Sequence, residues 1–293
     1  MLTPVLAPAH ARLALRHFIA VSAVVAVLLP TPLLAERITG NQRIEYSLLL
    51  ALAAAFALIE AFAPALQRHR RALWAGAAAA CTIGLALQDR RTGMLALPLL
   101  LGAWVWVRQR RWQRRLALLA LLVLAAGLAW QASPSVRARF AEGVAELRQY
   151  QSQGAVETSW GMRLRMLEHT SDMVRDKPWF GHGTGGWLEQ WRRRVGEGDA
   201  LLQVHTTPHN EYLLITVQGG AVALVLFLVA LGAHGVATWR NAIAGDRPQA
   251  WLVWVAFGFT ALFNVALRDA KLALPLLLLG ALAWAAARDP APD

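Results

Sequence analysis

Cysteine is nearly missing from this chain: Cys81 stands alone among 293 residues. One cysteine makes no intrachain disulfide, and no CxxC pair or Cys/His zinc spacing exists, so a disulfide framework and a structural zinc site are excluded. Cys81 sits in an alanine-rich apolar run and reads as a small buried hydrophobe. Charge is also scarce, at 16% of residues, where a soluble domain carries about a quarter. No GxGxxG follows a strand and no GK[ST] phosphate loop occurs. No internal repeat is present. The first apolar run holds His17 and Pro30 and lacks a clean small-residue cleavage site, so it reads as a retained span and not a signal peptide.

What the chain has in abundance is apolar sequence. Hydrophobic residues make up 57% of it, gathered into runs of roughly 17 to 25 residues, the length that crosses a ~30 Å hydrocarbon core. The net charge of +11 could suit nucleic acid, but 13 tryptophans and the apolar runs assign it to basic membrane flanks and interfacial anchors. Membrane lipids are the expected surroundings, and no nucleic-acid partner is expected. Eight spans are predicted, near 14–35, 45–65, 72–89, 92–107, 116–133, 211–238, 249–266 and 271–287. The fold class is therefore all-α, a polytopic helical bundle of about eight spans. Five spans lie in 1–133, a polar segment of 77 residues in 134–210 forms a helical loop domain, and three spans close the chain in 211–293.

Arginine bias orients the bundle. The ends that share one side carry thirteen basic residues, among them Arg68, Arg70, Arg71 and the Arg108–Arg115 cluster, and the opposite short loops carry six. The richer side is cytoplasmic by the positive-inside rule. Both termini are then inside, and 134–210 faces outward.

The outward segment has helical texture of its own. Ser133 before Pro134 reads as an N-cap with proline at the first helical position. Val136, Phe140, Val144, Leu147 and Tyr150 then recur at spacings of three and four, an amphipathic helix suited to lie along the bilayer surface. A second helix is predicted after Ser159, ending before Pro178. The glycines of GHGTGG, 181–186, read as a tight turn, with His182 a candidate ligand within it.

Several residues could carry chemistry. Arg90 and Arg91 lie between two apolar runs on the outward side, where a charge is costly unless it is paired or faces water. They are functional candidates or arginines that snorkel to headgroups. Arg163 could oppose Arg91 in a clamp on a diphosphate, because guanidinium presents a fork of donors matching phosphate oxygens. The alternative is a solvated face, and Arg165, two positions on, points to a different side of the helix. His205 and His209 are four apart, a zinc-compatible spacing on a helix, but Pro208 disfavours a helix through both and no third ligand is evident. No metal or cofactor is expected. His209 could instead accept a proton from an attacking hydroxyl, with Asn210 or Glu211 fixing its tautomer or holding the acceptor. A structural role for the histidine is equally compatible with the sequence.

Taken together, several motifs resemble the O-antigen ligase family of bacterial envelope glycosyltransferases. They are RTG at 91–93, the S-x-G-x-R of SWGMR, DKPWFGHGTGGW at 176–187, PHNEYL at 208–213 and the QGG of the following helix. Their order, the long outer loop and the three closing spans match over roughly residues 70 to 287. The resemblance implies a metal-independent, inverting transferase in the bacterial inner membrane with its site facing the periplasm. It would move a glycan from undecaprenyl diphosphate to lipid A–core in lipopolysaccharide biosynthesis. Arg91 and Arg163 would bind the diphosphate and stabilise its charge as it leaves, and His209 would activate or position the acceptor hydroxyl. Arg90, Arg165, His182, Asn210 and Glu211 would line the substrates. An O-antigen polymerase or a protein O-oligosaccharyltransferase is the alternative enzyme, and a flippase or transporter for a polyprenyl-linked glycan the alternative outside enzymes. Family members commonly have about four more N-terminal spans than the eight that the ~30 Å length rule finds here. The resemblance therefore implies either a shortened member or a chain whose start is absent.

Overall fold

The computed structural model describes residues 6–29, 43–64, 66–88, 91–154, 156–195, 200–245 and 247–287. Among them there is no strand, and several long apolar helices define an all-α membrane bundle. The chain falls into two compact units, Met1–Ala132 with Gly235–Phe257 and Lys271–Asp293, and Ser133–His234 with Gly258–Ala270.

The first unit holds α1 (Pro8–Leu28), α2 (Arg43–Ala61), α3 (Arg68–Leu87), α4 (Arg91–Arg108) and α5 (Trp112–Ala132). Helix α2 is its centre, packed against α1, α3 and α4. Its residues Leu50 to Ala57 are almost wholly buried, five of them alanines whose small side chains let neighbouring helices approach closely. Gly93 of the RTG motif marks one such approach, since a Cβ there would lie 2.6 Å from the Ser47 carbonyl oxygen. On the outward faces, Val21 and Val24 of α1 and Val123 and Leu124 of α5 are left uncovered by protein, as residues meeting lipid tails should be. Helices α1, α2 and α5 have the length and hydropathy of spans, while α4 is apolar but shorter. The first predicted span extends to residue 35, and its part beyond Leu29 lies outside the described residues.

The second unit contains α6 (Pro134–Gln153), α7 (Ser159–Asp176), α8 (Gly186–Val195) and the single turn α9 (Ala200–Gln203). Helix α6 begins at Pro134, as the Ser-Pro pair predicts. Thr158 caps α7 by accepting from the Gly161 amide at 3.0 Å, and α7 stops at Asp176, two residues before Pro178. The core of the unit is Met166, Met173, Trp187, Trp191, Leu202, Leu214, Val217 and Val265. Trp187 and Trp191 stack with centroids 5.0 Å apart, and each indole finds a buried acceptor, Thr170 Oγ1 at 2.9 Å and the Leu202 carbonyl at 3.0 Å.

Helix α10 (Glu211–Ala244) is followed by α11 (Gln249–Ala261) and α12 (Ala270–Ala286). Thus each predicted span holds a helix over most of its described residues, but the sixth is divided. Gly220 has φ 67° and ψ −166°, a glycine-only conformation that breaks α10 after nine residues. The Pro178–Gly183 turn fills the break with four main-chain hydrogen bonds. His182 and Gly183 amides donate to the Val217 and Gln218 carbonyls at 2.7 and 2.9 Å, and the Ala221 and Val222 amides donate to the Pro178 and Trp179 carbonyls at 2.7 and 3.3 Å. Leu214 and Val217 before the break belong to the core of the second unit. Uncovered apolar side chains begin after it, with Val222, Val225 and Leu226. Residues 211–219 thus pack with the core of the second unit, and the uncovered apolar surface of α10 starts beyond Gly220.

Candidate active site

His209 is placed by its backbone. It is the one non-glycine residue with positive φ, 51°, among the described residues, a conformation that costs about 1–3 kcal/mol and is kept when the surroundings over-determine it. Buried Pro208 fixes the chain before it. After it, Asn210 caps α10, its Oδ1 accepting from the Leu213 amide at 2.9 Å and its Nδ2 donating to the Leu262 carbonyl at 3.0 Å. The Glu211 carboxylate, 3% exposed, accepts from the Leu267 amide at 2.9 Å. Asn210 and Glu211 thus tie the mouth of α10 to the turn between α11 and α12. Neither makes a hydrogen bond to the His209 ring.

The ring of His209 meets His205 instead. Its Nε2 lies 3.4 Å from His205 Nδ1, with the ring centroids 5.5 Å apart and inclined by 75°. His205 Nε2 lies 3.2 Å from the Met162 sulfur on α7. Half-buried Arg163 is the next residue. Burial, then Arg163, then His205 push the His209 pKa down to about 4, against an upward pull from Asp269. Burial and then Arg163 lower that of His205 as well. Both imidazoles are therefore neutral at pH 7, free to give and accept protons.

The other candidates have other surroundings. Arg165 turns away from this cluster, over the Tyr150 ring of α6 at 5.7 Å and within 3.6 Å of Glu168. The His182 ring donates through Nε2 to the Met173 carbonyl at 2.8 Å while its amide bonds the break in α10, so it braces the turn. Arg91 opens α4 in the first unit, and Arg90 lies outside the described residues. No group of three His, Cys, Asp or Glu among the described residues could hold a metal ion. Nothing local in the sequence signals the Met162 contact. The four-residue spacing of His205 and His209 is that of a helical metal pair, which Pro208 argues against, and the two rings meet through a non-helical turn.

Fold and site together define an integral membrane protein whose second helical unit carries a neutral histidine pair beside an arginine, at the head of an apolar helix. The family model described as O-antigen ligase matches residues 76–228, and the chain belongs to that family. An uncharacterized protein of Haemophilus influenzae is similar to it, 23% identical over 152 residues. That match takes in 50% of this chain and 38% of the relative, so well under half of the relative's length is represented.

Proposed function

We propose that the chain is a membrane glycosyltransferase of the O-antigen ligase type, moving a glycan from a polyprenyl diphosphate to an acceptor hydroxyl at the periplasmic face of the inner membrane. Undecaprenyl diphosphate is the donor carrier and lipid A–core the acceptor. The observation that carries this reading is the neutral His209 held beside Arg163 on a strained backbone, inside the segment matched by the family.

In this reading Arg163 and Arg91 bind the donor diphosphate, with Arg90 in support. His209 takes the proton of the acceptor hydroxyl, whose oxygen forms the new bond to the anomeric carbon. The bond from that carbon to the diphosphate oxygen breaks, and the electron pair leaves with the diphosphate. Displacement from the opposite side inverts the anomeric centre. The guanidinium charges stabilise the leaving group where other transferases use a divalent cation. A base with a pKa near 4 is always ready but weak. An anionic diphosphate on Arg163 offsets the charge that depresses His209, so donor binding strengthens the base when it is needed. Asn210, Glu211 and His182 serve as positioning residues, and Arg165 fixes α6 over α7.

A transporter reading draws on one observation, the broken helix α10, since transporters bind substrate at such breaks. Here four polar groups at the break are already bonded to the Pro178–Gly183 turn, so the break is used within the fold. The transferase reading is therefore preferred. Expression of the wild type and of His209→Ala, Arg163→Ala and Arg91→Ala in cells lacking their own ligase should give glycan on lipid A–core only with the wild type. Each lost transition-state contact should lower transfer by roughly 100-fold or more. Normal transfer by all three well-expressed variants would remove the assignment.

A further inference from the structure

We propose that His205 is a positioning residue that fixes the tautomer of His209, so that Nδ1 of His209 is the nitrogen that takes the acceptor's proton. The inference rests on the transferase reading above and follows from donor and acceptor bookkeeping along three side chains. The thioether sulfur of Met162 has no proton and can only accept. His205 Nε2, 3.2 Å away, is therefore the donor in that contact. A neutral imidazole has one N–H, so with the proton on Nε2 the Nδ1 of His205 carries a lone pair. That lone pair faces His209 Nε2 at 3.4 Å, and two lone pairs cannot bond, so His209 Nε2 carries the hydrogen. The free lone pair of neutral His209 then lies on Nδ1.

The sulfur thus sets, two rings away, which nitrogen of His209 is basic. The arrangement is that of a catalytic histidine oriented by a second group through its other nitrogen, with a neutral imidazole in the place of a carboxylate. A carboxylate would raise the basicity of His209 by its charge. The histidine orients without adding charge, which suits a site whose charge is reserved for a diphosphate.

Two substitutions separate an orienting role from mere packing. Asparagine at 205 keeps an acceptor oxygen at the place of Nδ1, whereas phenylalanine fills the volume and accepts nothing. His205→Phe should lower kcat roughly 10- to 100-fold, the scale on which partners orienting a histidine act, with the KM for the lipid-linked donor unchanged. His205→Asn should stay within a few-fold of wild type. Nitrogen-15 spectra of the full-length protein in lipid nanodiscs, with His209 assigned by its loss in His209→Ala, should show the proton on Nε2 at neutral pH. In His205→Phe that preference should disappear. A proton on His209 Nδ1 in the wild type, or wild-type kinetics in His205→Phe, would overturn the inference. If His209→Ala itself transfers glycan normally, the functional reading fails instead, whatever the tautomer proves to be.

Discussion

His209 must be neutral to act as a base, yet its environment makes protons hard to hold. Burial leads, with Arg163 and His205 adding to it and Asp269 opposing, and together they bring its pKa to about 4 from the usual 6.5. Because the neutral form is the active one, donor-limited transfer should persist through mildly acidic pH and fall only as pH drops towards 4. Titrating His209 by NMR in Arg163→Gln should find the pKa raised, since a cation that lowers it has been removed. An unchanged value would mean that Arg163 has no part in setting it. The sequence left His209 balanced between catalysis and structure because its partners are invisible locally: Met162 is 47 positions upstream, and the Leu262 and Leu267 backbone groups that occupy Asn210 and Glu211 are more than 50 positions downstream. The side of α7 that Arg165 takes was legible, because a two-residue offset on a helix decides it whatever the tertiary fold.

Among the elements, the break in α10 decides most. A Cβ at Gly220 would lie 2.1 Å from the Trp179 carbonyl carbon and oxygen, and one at Gly181 2.5 Å from the Val217 oxygen. Gly220→Ala therefore faces both a forbidden backbone and a collision, and should cost about 3 kcal/mol or more. Hydrogen exchange at the His182 and Gly183 amides is the direct measurement, and should quicken by orders of magnitude in this variant. A milder case is Thr170→Val, which leaves the buried Trp187 indole without its acceptor and should cost about 1–3 kcal/mol in thermal unfolding of the detergent-solubilised protein. Hydropathy found the apolar run from 211 onward but not the division within it. A glycine pair in an apolar run is common in membrane helices, and only the turn from 178 to 183 reveals what it is for.

For the whole molecule, the predicted topology makes 134–210 periplasmic. In a Cys81→Ala background, an impermeant maleimide should label Ser152→Cys in cells with a permeabilised outer membrane, and Gln113→Cys only after the inner membrane is lysed. The opposite pattern would invert the orientation. The long apolar helices were legible because hydrocarbon thickness imposes a length on any sequence that crosses it. Their ends were less so: the first helix stops by Leu29, and the seventh ends at Ala261 where the turn bonded to Asn210 and Glu211 begins. The filled break in α10 has a last consequence, for traffic. Opening the turn would break four main-chain hydrogen bonds at once, each worth about 0.5–1.5 kcal/mol, which ties the 178–183 turn to its helix. In the proposed transferase, long glycans and their lipid carriers would then enter and depart sideways, past a doorway whose frame stays fixed.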